Sequence, residues 1–121
     1  MAASKKLAPP HSVVLISDVV GGKVPDIMRG QLIAATNSCV AVGCLCEVDG
    51  ETEFVLGASS EVNPGGPPTF EGRINTPNRR LEISSVLGDL ILTTQVPQHE
   101  TVVRVWVNDP KEPDRVVVGI E

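Results

Sequence analysis

Thiols, imidazoles, a lone indole and one run of carboxylates are the groups in this chain that could do chemistry. Cys44-Leu45-Cys46 has the Cys-x-Cys spacing of thiolate metal sites. A tetrahedral zinc site needs four ligands, and Cys39, His11 and His99 are the residues left to complete one. In a regular strand Cys39 faces away from Cys44 and Cys46, and the two histidines lie in unrelated segments. Cys44 and Cys46 also share a face with Val40, Val42 and Val48, so they read as small buried hydrophobes rather than as a metal site. Neither histidine has a neighbouring nucleophile and orienting acid of the kind covalent catalysis needs. Gly-x-Ser-x-Gly is absent, and Gly65-Gly66-Pro67-Pro68 lacks the Lys-Ser/Thr of a phosphate-binding loop. No catalytic residue, cofactor site or metal site is expected.

The carboxylates are more informative. Glu47, Asp49, Glu51 and Glu53 fall within seven residues that hold no cation. Charge of one sign on a protruding turn steers cationic partners toward it. It also serves as a solvated guard against aggregation. Trp106 and Arg104 alternate with Val103, Val105 and Val107, so a valine face turned to the core leaves Trp106 beside Arg104 on the outer face. Both residue types are enriched in binding hot spots. The other reading packs Trp106 under a loop, with its N–H bonded. The candidate partner-binding residues are therefore Glu47, Asp49, Glu51, Glu53, Arg104 and Trp106.

The elements that carry these residues are mostly strands. Valine supplies 19 of 121 residues and tyrosine none, and β-branched side chains suit a pleated, buried surface. Asp49-Gly50 between the apolar runs 40–48 and 52–57 predicts a two-residue hairpin. Further strands are expected over Ser12–Val20, Thr69–Asn75, Leu81–Leu87, Leu90–Val96, Thr101–Asn108 and Arg115–Glu121, with one short helix over Val24–Ala35. Residues 57–68 read as a long loop. Residues 1–11 read as a disordered tail and 12–121 as a single domain. The predicted fold is mainly β, an antiparallel β-sandwich of about eight strands with one short helix.

A net charge of −5 disfavours direct binding of nucleic acid or an anionic membrane. It suits a basic protein partner. Three cysteines without a secretory leader point to a cytoplasmic protein, and open edge strands would allow a homodimer.

One resemblance emerges from the order of elements. Ile33-Ala34-Ala35 leads into a strand, a hairpin and a loop. Leu81-Glu82-Ile83-Ser84-Ser85, Leu90-Ile91-Leu92, a turn holding Pro97, and Val103-Arg104-Val105-Trp106 before an acidic proline turn follow. This resembles the bacterial competence proteins that inhibit the DNA-entry nuclease, across about residues 25–121. It rests on element order and hydrophobic spacing, so no family residue is carried over. The cysteine pair and the Gly65-Gly66-Pro67-Pro68 loop depart from the pattern. The resemblance implies a β-sandwich without enzymatic activity that binds a nuclease, and an acidic protein suits that task because its carboxylates can occupy the basic groove that normally holds phosphates. The alternative is a small-ligand or metal-binding β module using a pocket between the sheets or the Cys44/Cys46 pair. An enzyme with its site on the 57–68 loop would need a cleft with converging polar groups.

Overall fold

Ten strands form among the described residues, most of them over runs rich in β-branched side chains. The computed structural model describes residues 2–25 and 30–121. The strands are β1 (Ala3–Leu7), β2 (Val13–Asp18), β3 (Ile33–Ala35), β4 (Cys39–Gly43), β5 (Thr52–Ala58), β6 (Phe70–Asn75), β7 (Arg80–Ser85), β8 (Leu90–Gln95), β9 (Glu100–Val107) and β10 (Arg115–Ile120). One four-residue helix, α1 (Ser59–Val62), follows β5. The strands form two five-stranded sheets, ordered β1-β5-β10-β9-β6 and β3-β4-β2-β7-β8. All pairings are antiparallel except β5 with β10, which run parallel.

The core lies between the sheets. Val14 and Ile16 of β2, Val40 and Val42 of β4, and Leu81 and Ile83 of β7 meet Phe54, Leu56, Val103, Val105, Val116 and Val118 from the other sheet. Phe54 is the largest fully buried side chain, so aliphatic packing does most of the filling. The expected alternation in β9 holds, with Val103 and Val105 inward and Arg104 and Trp106 outward.

Three expectations give way. The 38–57 segment is not a hairpin: β4 pairs with β2 and β3, while β5 pairs with β1 and β10 in the other sheet. A type I′ turn needs positive φ at both central residues. Gly50 has φ +141°, but Asp49 is not among the described residues with positive φ. The strands are apolar on both faces, a pattern that suits either sheet, so burial overrides the turn signal and the chain crosses over. The helix over Val24–Ala35 does not form at its C-terminal end, where Ile33–Ala35 pair with β4 as β3; residues 26–29 lie outside the described residues. Among the described residues the one α-helix, also short, sits at the start of the supposed loop, at Ser59–Val62. Finally, the N-terminal stretch placed in a disordered tail contains β1, an edge strand in register with β5 from Ala3 opposite Leu56 to Leu7 opposite Thr52. Its side chains are largely exposed. Backbone pairing therefore holds it, and apolar periodicity could not reveal it.

Thr52 opens β5 with a side chain that faces inward. Its Oγ1 is buried with no hydrogen-bond partner among the described residues; the weakly bonding thiol of Cys44 is the polar group beside it. A buried hydroxyl without a full partner costs stability. Thr52→Val, which keeps the shape, is expected to raise unfolding stability by about 1 kcal/mol in urea titration.

Candidate functional site

Two loops meet at one end of the sandwich because β5 and β10 run side by side in the same direction. Their register places Arg115 opposite Glu53. The 44–51 crossover enters β5 there, and the 108–114 turn enters β10. Backbone bonds knit the loops together. Leu45 N donates to Pro113 O at 2.8 Å, Glu53 N to Asp114 O at 2.8 Å, and Cys44 N to Ser12 O at 2.9 Å. Glu47 is fixed on the 10–12 turn: its N–H donates to Ser12 Oγ (3.2 Å), and its Oε1 accepts from His11 N (3.3 Å).

The second loop is built by its own acids and prolines. Asp109 Oδ1 accepts from the N–H groups of Lys111 (2.8 Å) and Glu112 (2.9 Å). Those donors, that of Glu112 first, hold the Asp109 carboxyl below its usual range. Asn108 closes the turn, donating to Asp114 Oδ1 at 2.6 Å and accepting from Arg115 N at 3.2 Å. Arg115 in turn pairs with Glu53 at 3.1 Å.

The electrostatic result is lopsided. Residues 44–53 and 108–115 carry seven carboxylates (Glu47, Asp49, Glu51, Glu53, Asp109, Glu112 and Asp114) and two cations, Lys111 and Arg115. Those five net charges equal the net charge of the entire chain, and the remaining residues hold eight acids and eight bases. Glu47, Asp49, Glu51, Asp109, Glu112 and Asp114 are exposed, while Glu53 is half-buried against Arg115. Val48, 84% exposed, stands among them. This end can attract and hold a cationic surface.

Asp109, Glu112 and Asp114 belong to this site and were not among the sequence candidates. Asp-Pro-Lys-Glu-Pro-Asp reads as a charged turn in the sequence, but nothing local says which other turn it will face. Only the parallel β5–β10 pairing decides that.

Arg104 and Trp106 lie elsewhere, on the outer face of the first sheet beneath residues 59–68. Trp106 is only 6% exposed. Its Nε1 donates to Gly66 O at 3.2 Å, and Thr69 N donates to Val105 O at 2.8 Å, so the segment is strapped across the sheet. Arg104 pairs with Glu71 at 3.1 Å and with Glu121, and reaches Ser59 Oγ at 3.4 Å. These bonds, with Glu121 first and then Glu71, raise its pKa further. A cleft of about 240 Å³ beneath the strap is lined by Ser59, Ser60, Asn63, Arg104, Trp106 and Glu121 among others. It holds converging polar groups but no histidine or thiol, and its arginine is already matched by two carboxylates.

Gly119 of β10 makes the strap's close approach work. A Cβ there would lie 2.7 Å from Ser59 Oγ, 2.9 Å from the Trp106 ring and 3.0 Å from Ser59 Cα. Gly119→Ala is expected to lift the strap at a cost of about 2 kcal/mol. The emission of Trp106, the sole tryptophan, should shift to the red and report it directly.

The thiols are divided. Cys39 and Cys44 are buried, Cys46 is half-exposed, and none is bonded to another. Burial pushes the Cys39 thiol up to about 11 and raises Cys44 as well, which disfavours the free thiolate that makes a cysteine reactive. Among the described residues no group of three or more His, Cys, Asp or Glu side chains is placed to hold a metal ion. No helix among them is long and apolar enough to cross a membrane.

No family model matches the sequence, and no curated protein does. Solved structures do. The inhibitor of the DNA-degrading activity of NucA from Bacillus subtilis, ComJ, superposes with a TM-score of 0.69 over 98% of this chain and 93% of its own, at 11% identity. The chain shares the fold of ComJ. The protein described as crocagin biosynthetic gene J superposes with a TM-score of 0.60 over 99% of this chain and 96% of its own, at 13% identity. Identities this low carry the fold alone. The resemblance read from the sequence agrees with this shared fold, although the hairpin counted among its elements does not form.

Proposed function

We propose that this protein is a non-enzymatic binding protein that masks a basic partner, a nuclease, with the carboxylates of its 44–53 and 108–115 segments. One observation carries the reading: the chain's entire net negative charge is gathered at one end of a fold shared with a nuclease inhibitor. A nuclease must offer cations where it holds phosphates, and a rigid set of carboxylates competes for that surface. The loops are braced by backbone hydrogen bonds and prolines, so little ordering entropy is lost when they dock. Arg104 and Trp106 contribute from the neighbouring sheet face by holding the strap, not by presenting an open aromatic surface.

The test is capture by the immobilised protein from an extract of its own cell, with retained proteins assayed for DNA degradation in a gel. Retention of a DNA-degrading nuclease that elutes as salt rises supports the reading. Extracts from which no such activity is retained at low salt contradict it.

A further inference from the structure

We propose that the cavity beside Trp106 receives one apolar side chain from a basic partner whose cations face the neighbouring carboxylates. This inference rests on the partner being basic, as argued above, and adds the place where it is anchored. The cavity measures about 150 Å³ and is lined by Pro64, Trp106, Val107, Asn108, Arg115 and Val117. Its lining is mostly apolar: the indole and Val117 on the sheet, and Pro64 of the strap. Its polar lining residues are engaged with neighbouring carboxylates, Asn108 with Asp114 and Arg115 with Glu53. The cavity opens to solvent along part of its surface, and its volume suits one leucine side chain or one phenyl ring.

The position is as informative as the size. Asn108 begins the acidic 108–114 turn and Arg115 follows it, so the cavity lies beside the segment that carries Asp109, Glu112 and Asp114. An apolar pocket with an acidic flank fits an apolar residue flanked by lysine or arginine. Binding energy in protein interfaces concentrates in such buried anchors, and the charges around them set orientation and encounter rate. The polar cleft on the other side of Trp106 does not suit the role, because Glu71 and Glu121 already saturate its arginine.

The full chain provides its own detector, since Trp106 is its only tryptophan and it has no tyrosine. Three short peptides serve as probes: lysines around a central leucine, lysines alone, and glutamates around a leucine. The lysine–leucine peptide is expected to change Trp106 emission saturably and to bind about tenfold more tightly than either control, the gain from burying one leucine. Pro64 is exposed on the strap, so Pro64→Phe can fill the cavity from outside the core. It should remove that tenfold preference while leaving the thermal melt unchanged. Equal binding of the lysine peptides overturns the proposal. So does a silent Trp106, or a Pro64→Phe variant that keeps the preference. A cell with no retained nuclease, combined with a positive leucine result, would remove the nuclease assignment and leave the cavity standing. Nuclease retention with a silent cavity would do the reverse.

Discussion

Glu51→Lys combined with Glu112→Lys is expected to weaken nuclease binding about a hundredfold, roughly tenfold for each position. Each change replaces attraction by repulsion at an exposed loop position. Neither residue has an ion-pair partner among the described residues: the Glu112 backbone N–H that bonds Asp109 is kept by any residue, and Glu51 is exposed in the crossover. Glu53 is the wrong place for this test, because it pairs with Arg115 and its reversal would disturb the β5–β10 entry. Most of the loss should appear in the association rate and should shrink as salt rises, the behaviour of exposed charges. Surface plasmon resonance against the retained nuclease at two ionic strengths measures it. An affinity unchanged by the double reversal would place the contact elsewhere on the molecule.

Asp18→Ala is expected to cost about 3 kcal/mol of stability, near 10 °C in melting temperature for a domain of this size. Asp18 ends β2 and is 1% exposed. Its Oδ1 accepts from Asn78 N at 3.0 Å; its Oδ2 accepts from Asn78 Nδ2 at 2.7 Å and Val20 N at 3.2 Å. Removing the carboxylate leaves those donors without their partner and unpins the 76–79 turn, where Arg79 holds φ +53°. Burial alone would raise the Asp18 pKa; the Asn78 side chain, then the backbone N–H groups of Val20, Asn78 and Arg80, outweigh it and lower the value from 3.8. A carboxyl whose folded pKa is depressed contributes stability that is complete above its unfolded value and lost as pH falls through the folded one. The wild type should therefore lose this contribution below about pH 4. The gap between wild type and Asp18→Ala should narrow in that acid window and stay constant from pH 5 to 8. Calorimetric melts across that range check both statements.

Period-two alternation was enough to read the sheets, because Val14, Ile16, Leu81, Ile83, Val103 and Val105 each alternate with polar or outward residues. It was not enough to say which strand joins which sheet. Val40–Val42 and Phe54–Leu56 are flanked by apolar residues on both faces, so either pairing would bury them, and the Asp49-Gly50 signal suggested the wrong one. Strand β1 was hidden because Ser4, Lys5 and Lys6 bury nothing and are held by backbone bonds alone. Four of the seven carboxylates of the acidic site were visible as Glu47, Asp49, Glu51 and Glu53. Asp109, Glu112 and Asp114 join them only through a parallel pairing between strands separated by more than fifty residues, a long-range relation that no local pattern encodes. Trp106 was placed correctly on the outer face of β9, but the strap that covers it depends on Gly119, whose importance shows only once Ser59 lies on top of it.

The decisive measurement is a titration of DNA degradation by a nuclease retained from the same cell, with this protein added in steps. Activity should fall in proportion to added protein and reach its floor at one equivalent, and the Glu51→Lys, Glu112→Lys variant should leave it largely intact. Full nuclease activity in the presence of a large molar excess of folded protein would contradict the masking role.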